Sequence, residues 1–174
     1  NGIAMAFSVE ASVPESKARK EERTPPKEIL VLWDNSMSRE KANVQQELEL
    51  LKSYLGSVKD AKVSVFTFNN EVYKIAENVS GRVAINQLIK SAAIKENLGS
   101  SRFPNLEGLP QAEVTIIFTD GNTVNKDADI RPNGSLFFIN SALEGNHQLM
   151  QDLSYTYDGT YVNLAVEDEK EALK

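Results

Sequence analysis

The sequence predicts an α/β fold: a six-stranded, mainly parallel sheet with one antiparallel edge strand and helices on both faces. Three observations predict it. From residue 28 onward, short apolar runs alternate with stretches of helical periodicity. Two of the runs, EILVLW at 28–33 and EVTIIFT at 113–119, have no polar alternation, as expected of central parallel strands buried on both faces. Each is followed or closed by an aspartate, Asp34 and Asp120. Right-handed crossovers place the carboxyl ends of parallel strands along one edge, which is where open sheets of this kind bind ligands.

The elements follow in order. Residues 3–10, IAMAFSVE after the opening Asn-Gly, suit a short strand, and 11–27 are charged, proline-punctuated and poor in apolar residues, as in a linker or surface loop. The basic KARK cluster there is a candidate interaction patch, but Glu21 and Glu22 follow at once, which favours a solvated linker. After EILVLW, residues 39–55 place Val44, Leu48, Leu51 and Leu55 on one helical stripe, with Gly56 as a natural stop. KVSVFTF at 62–68 is the next strand, and Asn69-Asn70 turns the chain into an antiparallel edge strand near 71–77. Residues 82–95 read as helix, with Ser80 as a cap and Ile85, Leu88, Ile89 and Ala92 facing inward. EVTIIFT and SLFFIN at 135–140 are further strands. Asn146 then caps a short helix carrying Leu149, Met150 and Leu153, and Asp158-Gly159 turns into a last strand, TYVNL. The tail at 167–174 is charged, helical or frayed.

Composition bounds the function. The chain has 174 residues, 41% hydrophobic and 25% charged, enough for one well-packed domain. A net charge of -6 argues against nucleic acid or an anionic membrane surface as the main partner. No stretch approaches the roughly 18 apolar residues of a spanning helix, so no membrane insertion is expected in this segment. Cysteine is absent, which removes disulfides, thiolate metal sites and cysteine nucleophiles, and leaves the compartment open. The single histidine, His147, is expected on the surface of a late helix, far from the site edge.

The chemistry-bearing pattern starts at DNSMS, 34–38. Asp34, Ser36 and Ser38 gather a carboxylate and two hydroxyls at one strand tip. Such a cluster is either a helix cap or part of a seat for a hard cation. Asp120, in TDG after another buried strand, supplies a second carboxylate, and the glycine-hydroxyl loop NLGSSRF at 97–103 lies between them in sequence. Mg²⁺ takes oxygen ligands and usually keeps water, so few carboxylates and several neutral hydroxyls leave it electrophilic. That favours recognition of another molecule's carboxylate over catalysis.

The order Asp-x-Ser-x-Ser, Gly-x-hydroxyl, Thr-Asp-Gly resembles the von Willebrand factor type A domain with its metal-ion-dependent adhesion site (MIDAS), over residues 28 to about 165. The resemblance implies a Rossmann-like fold and a divalent cation, Mg²⁺ or else Mn²⁺ or Ca²⁺. Its ligands would be Asp34, Ser36, Ser38, Ser101 and Asp120. The family's loop commonly carries threonine where GSSRF gives Ser101, with Ser100 as its nearest competitor. A narrower likeness, in LVLWDNSMS and in the closing segment from FFINSALEG to TYVNL, is to bacterial proteins that join this domain to a preceding inter-α-trypsin-inhibitor-type (VIT) domain. Residues 1–27 would then be the end of that domain and a linker, 28–166 the type A domain and 167–174 a tail. The resemblance favours an extracellular, periplasmic or cell-envelope setting within a longer multidomain chain, and a protein ligand presenting an Asp or Glu carboxylate.

Two other classes stay in view. Aspartyl-phosphate phosphatases also start from an aspartate at a parallel strand tip, but resemble Asp-x-Asp, and Ser36 cannot serve as the second acid. No GxxxxGK phosphate loop occurs. A structural interaction domain with a degenerate metal site is the remaining alternative, for which serine in place of threonine is the hint. Asp127 and Asp129 form an acidic loop whose spacing fits no EF-hand and suits a solvated loop better. Trp33 is expected in or beside the core.

Overall fold

The computed structural model describes residues 24–125 and 130–166. Six strands form there: β1 (Glu28–Asp34), β2 (Lys62–Phe68), β3 (Val72–Ser80), β4 (Val114–Phe118), β5 (Ser135–Asn140) and β6 (Tyr161–Asn163). They assemble in the order β3-β2-β1-β4-β5-β6, and every pairing is parallel except that of β2 with β3. β1 and β4 are neighbours, with Trp33 opposite Phe118. Asp34 and Asp120 therefore leave the sheet from adjacent strands at the same edge. The strand at 3–10, the linker up to residue 23, Asp127, Asp129 and the tail at 167–174 lie outside the described residues.

The unbroken apolar runs divide by parity, because successive side chains of a strand point to opposite faces. Ile29, Val31 and Trp33 enter one apolar layer, and Leu30 and Leu32 the other. The first layer is covered by α1 (Val44–Ser57) and α2 (Gly81–Lys90), through Leu48, Leu51 and Leu55 and through Ala84, Ile85 and Leu88. The second is covered by α3 (His147–Thr156), through the fully buried Met150, together with the irregular segment carrying Phe103 and Leu106. Among the described residues, no helix is long and apolar enough to cross a membrane.

Several boundaries differ from the sequence reading, each for a local reason. The helix expected over 39–55 is two pieces: a 3-10 turn, Met37–Lys41, then an extended Ala42, then α1. Asn43 caps α1 by accepting the Gln46 amide at 3.1 Å, so Ser38 caps nothing there. Gly56 sits inside the last turn of α1 and does not end it. Ser80 precedes α2 but makes no side-chain cap. α2 stops at Lys90 because Ser91 turns extended and its hydroxyl bonds the Leu88 carbonyl at 2.7 Å, which leaves Ala92 exposed in a separate 3-10 turn. The edge strand runs to Ser80, beyond the expected 77, because its register shifts against β2 at Val63 to Phe66. Asn78, at φ 54°, bonds the Ser64 hydroxyl within that irregularity. The Asn69-Asn70 turn is made by a side chain instead: Asn69 Oδ1 accepts the Glu71 amide at 3.1 Å.

Candidate metal centre

The site begins where β1 ends. Asp34 is fully buried, and each of its carboxylate oxygens is engaged. Oδ1 accepts the Ser36 amide at 2.9 Å, which curls the chain straight after the strand. Oδ2 accepts the Ser101 hydroxyl at 3.0 Å and the Thr119 hydroxyl at 2.6 Å. These donors come from two loops, 67 and 85 residues away in sequence. Burial pushes the Asp34 carboxyl above the ordinary carboxylate range, while the hydrogen bonds from Thr119 and Ser36 and the charge of Arg39 pull it back.

The hydroxyls lead outward from that carboxylate. Ser36 Oγ is buried and lies 3.2 Å from Ser38 Oγ, which belongs to an exposed residue. Asp120, also buried, accepts the Asn122 amide through Oδ1 at 3.0 Å, and its carbonyl takes the Asn146 amide at 2.7 Å. The loops are joined by backbone bonds: Met37 to Gly99, Leu98 to Asn35, and Val124 to Ser101. Ser101 is itself bridged to Thr123 in parallel register and is buried, whereas Ser100 is exposed. Of the two serines, Ser101 is the one brought to Asp34.

Behind the site stands a buried ion pair that the sequence reading missed. Arg39 makes a bidentate contact to Glu47, at 2.9 and 2.6 Å, and its Nε donates to the Asp34 carbonyl at 3.3 Å. Its guanidinium carbon lies 5.9 Å from the Trp33 ring centroid, and Trp33 stacks on Phe118 at 4.8 Å. Glu47 also accepts the amide and hydroxyl of Ser141, from the end of β5. Burial works against the Arg39 charge most strongly, but Glu47, by charge and hydrogen bonds, together with the charges of Asp34 and Asp120, holds the guanidinium above its ordinary value. Thr119 was missed as well, although it stands inside the TDG motif. His147, expected on the surface of a late helix, is the first residue of α3 and is half-buried there. Its ring meets the Tyr161 hydroxyl at 2.6 Å and the Leu143 carbonyl at 3.0 Å.

No family model and no curated protein sequence matches the chain. Solved structures do. An aerotolerance-related membrane protein from Bacteroides fragilis matches with a TM-score of 0.59 at 12% identity, over 84% of this chain and 94% of that one. A von Willebrand factor type A structure from Catenulispora acidiphila matches with a TM-score of 0.58 at 11% identity, over 84% of this chain and 40% of that one. The chain has the von Willebrand factor type A fold. Proximal thread matrix protein 1 from the mussel byssus, with a zinc-occupied MIDAS motif, matches with a TM-score of 0.56 at 16% identity, over 84% of this chain and 45% of that one. Identities this low establish the fold alone.

The geometry of the site fits a hard divalent ion. The donors are oxygens only, with two buried carboxylates and hydroxyls that run from Ser36 to the exposed Ser38. Among the described residues, this edge included, no three His, Cys, Asp or Glu side chains form a group that could hold a metal, so an ion here would need the hydroxyls as well as the two acids. Among the described residues, the buried Oδ1 of Asn35, between Asp34 and Ser36 in sequence, has no hydrogen-bond partner.

Proposed function

We propose that this domain is a binding module that recognises a protein partner through a divalent cation held by Asp34, Ser36, Ser38, Ser101 and Asp120. The observation that carries the reading is the Asp34 carboxylate, buried and taking two hydroxyl protons on one oxygen from separate loops. A helix cap would satisfy one backbone amide and needs no such convergence. A serine that donates its proton to a carboxylate keeps its lone pairs for another electropositive group, so Ser101 is set up as a neutral ligand. The ion, Mg²⁺ or a similar hard cation, would supply electrophilicity toward an incoming carboxylate. The two acids of the site, Asp34 and Asp120, bring at most two negative charges, and the Arg39 guanidinium interacts electrostatically with both. A partner's Asp or Glu then completes the coordination, and nothing is turned over. No second acid stands at Ser36 to exchange protons, which supports binding over hydrolysis.

The setting we propose is the cell envelope, periplasm or exterior, within a longer chain of the VIT-plus-type-A kind. Its support is the sequence resemblance and the membrane-protein description of the Bacteroides neighbour. One observation favours the alternative of a structural domain with a degenerate metal site: Arg39 already offsets part of the acidic charge without any ion. Immobilised domain exposed to envelope extract, in Mg²⁺ and in EDTA, separates the two. The proposal expects a partner retained only with the ion and only by wild type, and a single acid on that partner whose loss ends retention. Retention in EDTA by an Asp34→Ala domain refutes it in favour of the structural reading.

A further inference from the structure

Four large apolar side chains are exposed on the loops that build the site. Met37 is 64% exposed, Leu98 57%, Val124 56% and Leu143 75%. Their positions are fixed by the same bonds that assemble the site. The Met37 amide donates to the Gly99 carbonyl, the Leu98 amide to Asn35, and the Val124 amide to Ser101. Leu143 lies between Ala142, whose amide and carbonyl bond the Asn140 side chain, and Glu144, which Lys41 reaches from the 3-10 turn at 3.2 Å. The Leu143 carbonyl also holds the His147 ring. Each apolar residue is therefore on a tied loop and is exposed even so.

A second observation concerns charge. Arg102, next to Ser101, is exposed and forms no ion pair among the described residues, while Lys41 of the 3-10 turn pairs with Glu144. The rim of the site thus offers a cation and four apolar groups around a polar centre. A partner made of acids alone would leave the apolar groups wet, and a purely apolar partner would cover the Arg102 charge with no acid to meet it.

We infer that the partner of this site is a protein loop or terminus in which one acidic residue is flanked on both sides by large apolar residues. The inference rests on the metal reading above. It adds that affinity comes mainly from Met37, Leu98, Val124 and Leu143 closing around the acid, with the central contact supplying specificity. This division is the usual one at interfaces, where a few apolar anchors exclude water from a polar contact.

The probe is a set of immobilised synthetic peptides with a Ser-Gly spacer on either side of X-Asp-X, where X is Leu, Ser or Lys. Binding is read by interferometry in Mn²⁺, alongside Mn²⁺ titration of the domain alone. The expected result is that the Leu-Asp-Leu peptide binds at least about tenfold more tightly than the Ser form. That preference should vanish in the double variant Met37→Ser/Leu143→Ser, whose Mn²⁺ affinity and melting temperature stay at wild-type values. Leu98→Ser should reduce the preference on its own. Equal or tighter binding of the Ser or Lys peptide overturns the inference, as does Mn²⁺ binding with no peptide bound. Leu-Asp-Leu binding that survives EDTA and Asp34→Asn keeps the apolar rim and removes the metal reading instead.

Discussion

Thr119 shows what a single hydroxyl does in this site. It donates to Asp34 Oδ2 at 2.6 Å and accepts the Gly121 amide at 3.0 Å, so one side chain fixes both the carboxylate and the turn after β4. Thr119→Val keeps the shape and leaves a buried carboxylate short of a donor, so urea unfolding should show a loss of about 1.5–3 kcal/mol. Ser101 and Ser100 offer a paired comparison. Ser101→Ala should weaken Mn²⁺ binding about tenfold, the value of one neutral ligand or hydrogen bond, and Ser100→Ala should leave it unchanged. The reverse ranking would place the wrong serine in the site. At this scale the sequence singled out Asp34, Ser36, Ser38 and Asp120 as candidates by residue type and order, and left two adjacent serines undecided. Burial and the bridge to Thr123 separate them, and neither can be read from a string of hydroxyl residues. Arg39 gave no signal, because a charged residue near a helix start reads as solvated until its partner is seen.

At the scale of elements, the Arg39–Glu47 pair ties the 3-10 turn to α1, and Ser141 ties both to the end of β5. Taking one partner away strands a buried charge, so Arg39→Met should destabilise the domain by roughly 3–5 kcal/mol. Glu47→Leu combined with it should recover much of that loss, because two apolar groups then fill the space. Equilibrium urea curves of the three variants decide the matter, and additive losses would contradict it. The turn into β6 has a steric origin. A Cβ at Gly159 would lie 1.8 Å from the Leu136 carbonyl oxygen, which is backbone and cannot yield, and Asp158 before it sits at φ 51°. Gly159→Ala should therefore lower stability by about 2 kcal/mol or more and loosen β6, visible as faster amide exchange at Tyr161–Asn163. Element types were legible because unbroken apolar runs and period-3.6 patterns are strong here. Their ends were not, since Ala42, Asn43 and Ser91 decide them through backbone conformation and side-chain bonds that no periodicity records.

For the whole molecule, sheet order was legible at its centre: two unalternating runs, each meeting an aspartate, belong together in the middle of a parallel sheet, and they pair there. The cover of the second face was less so, because Phe103 and Leu106 reach it from an irregular segment. One edge of the sheet thus carries both buried acids, their hydroxyl partners and the exposed apolar rim. If that edge holds an ion in the folded state only, saturating Mg²⁺ should raise the melting temperature, and EDTA should return it to the metal-free value. The most direct measurement is calorimetric titration of Mn²⁺ into the domain, with Asp34→Ala and the gentler Asp34→Asn beside it and circular dichroism to confirm that each is folded. One ion per wild-type chain is expected, with affinity at least about tenfold weaker in both variants. Equal affinity in a folded variant and wild type, or no Mn²⁺ binding by wild type, would contradict it.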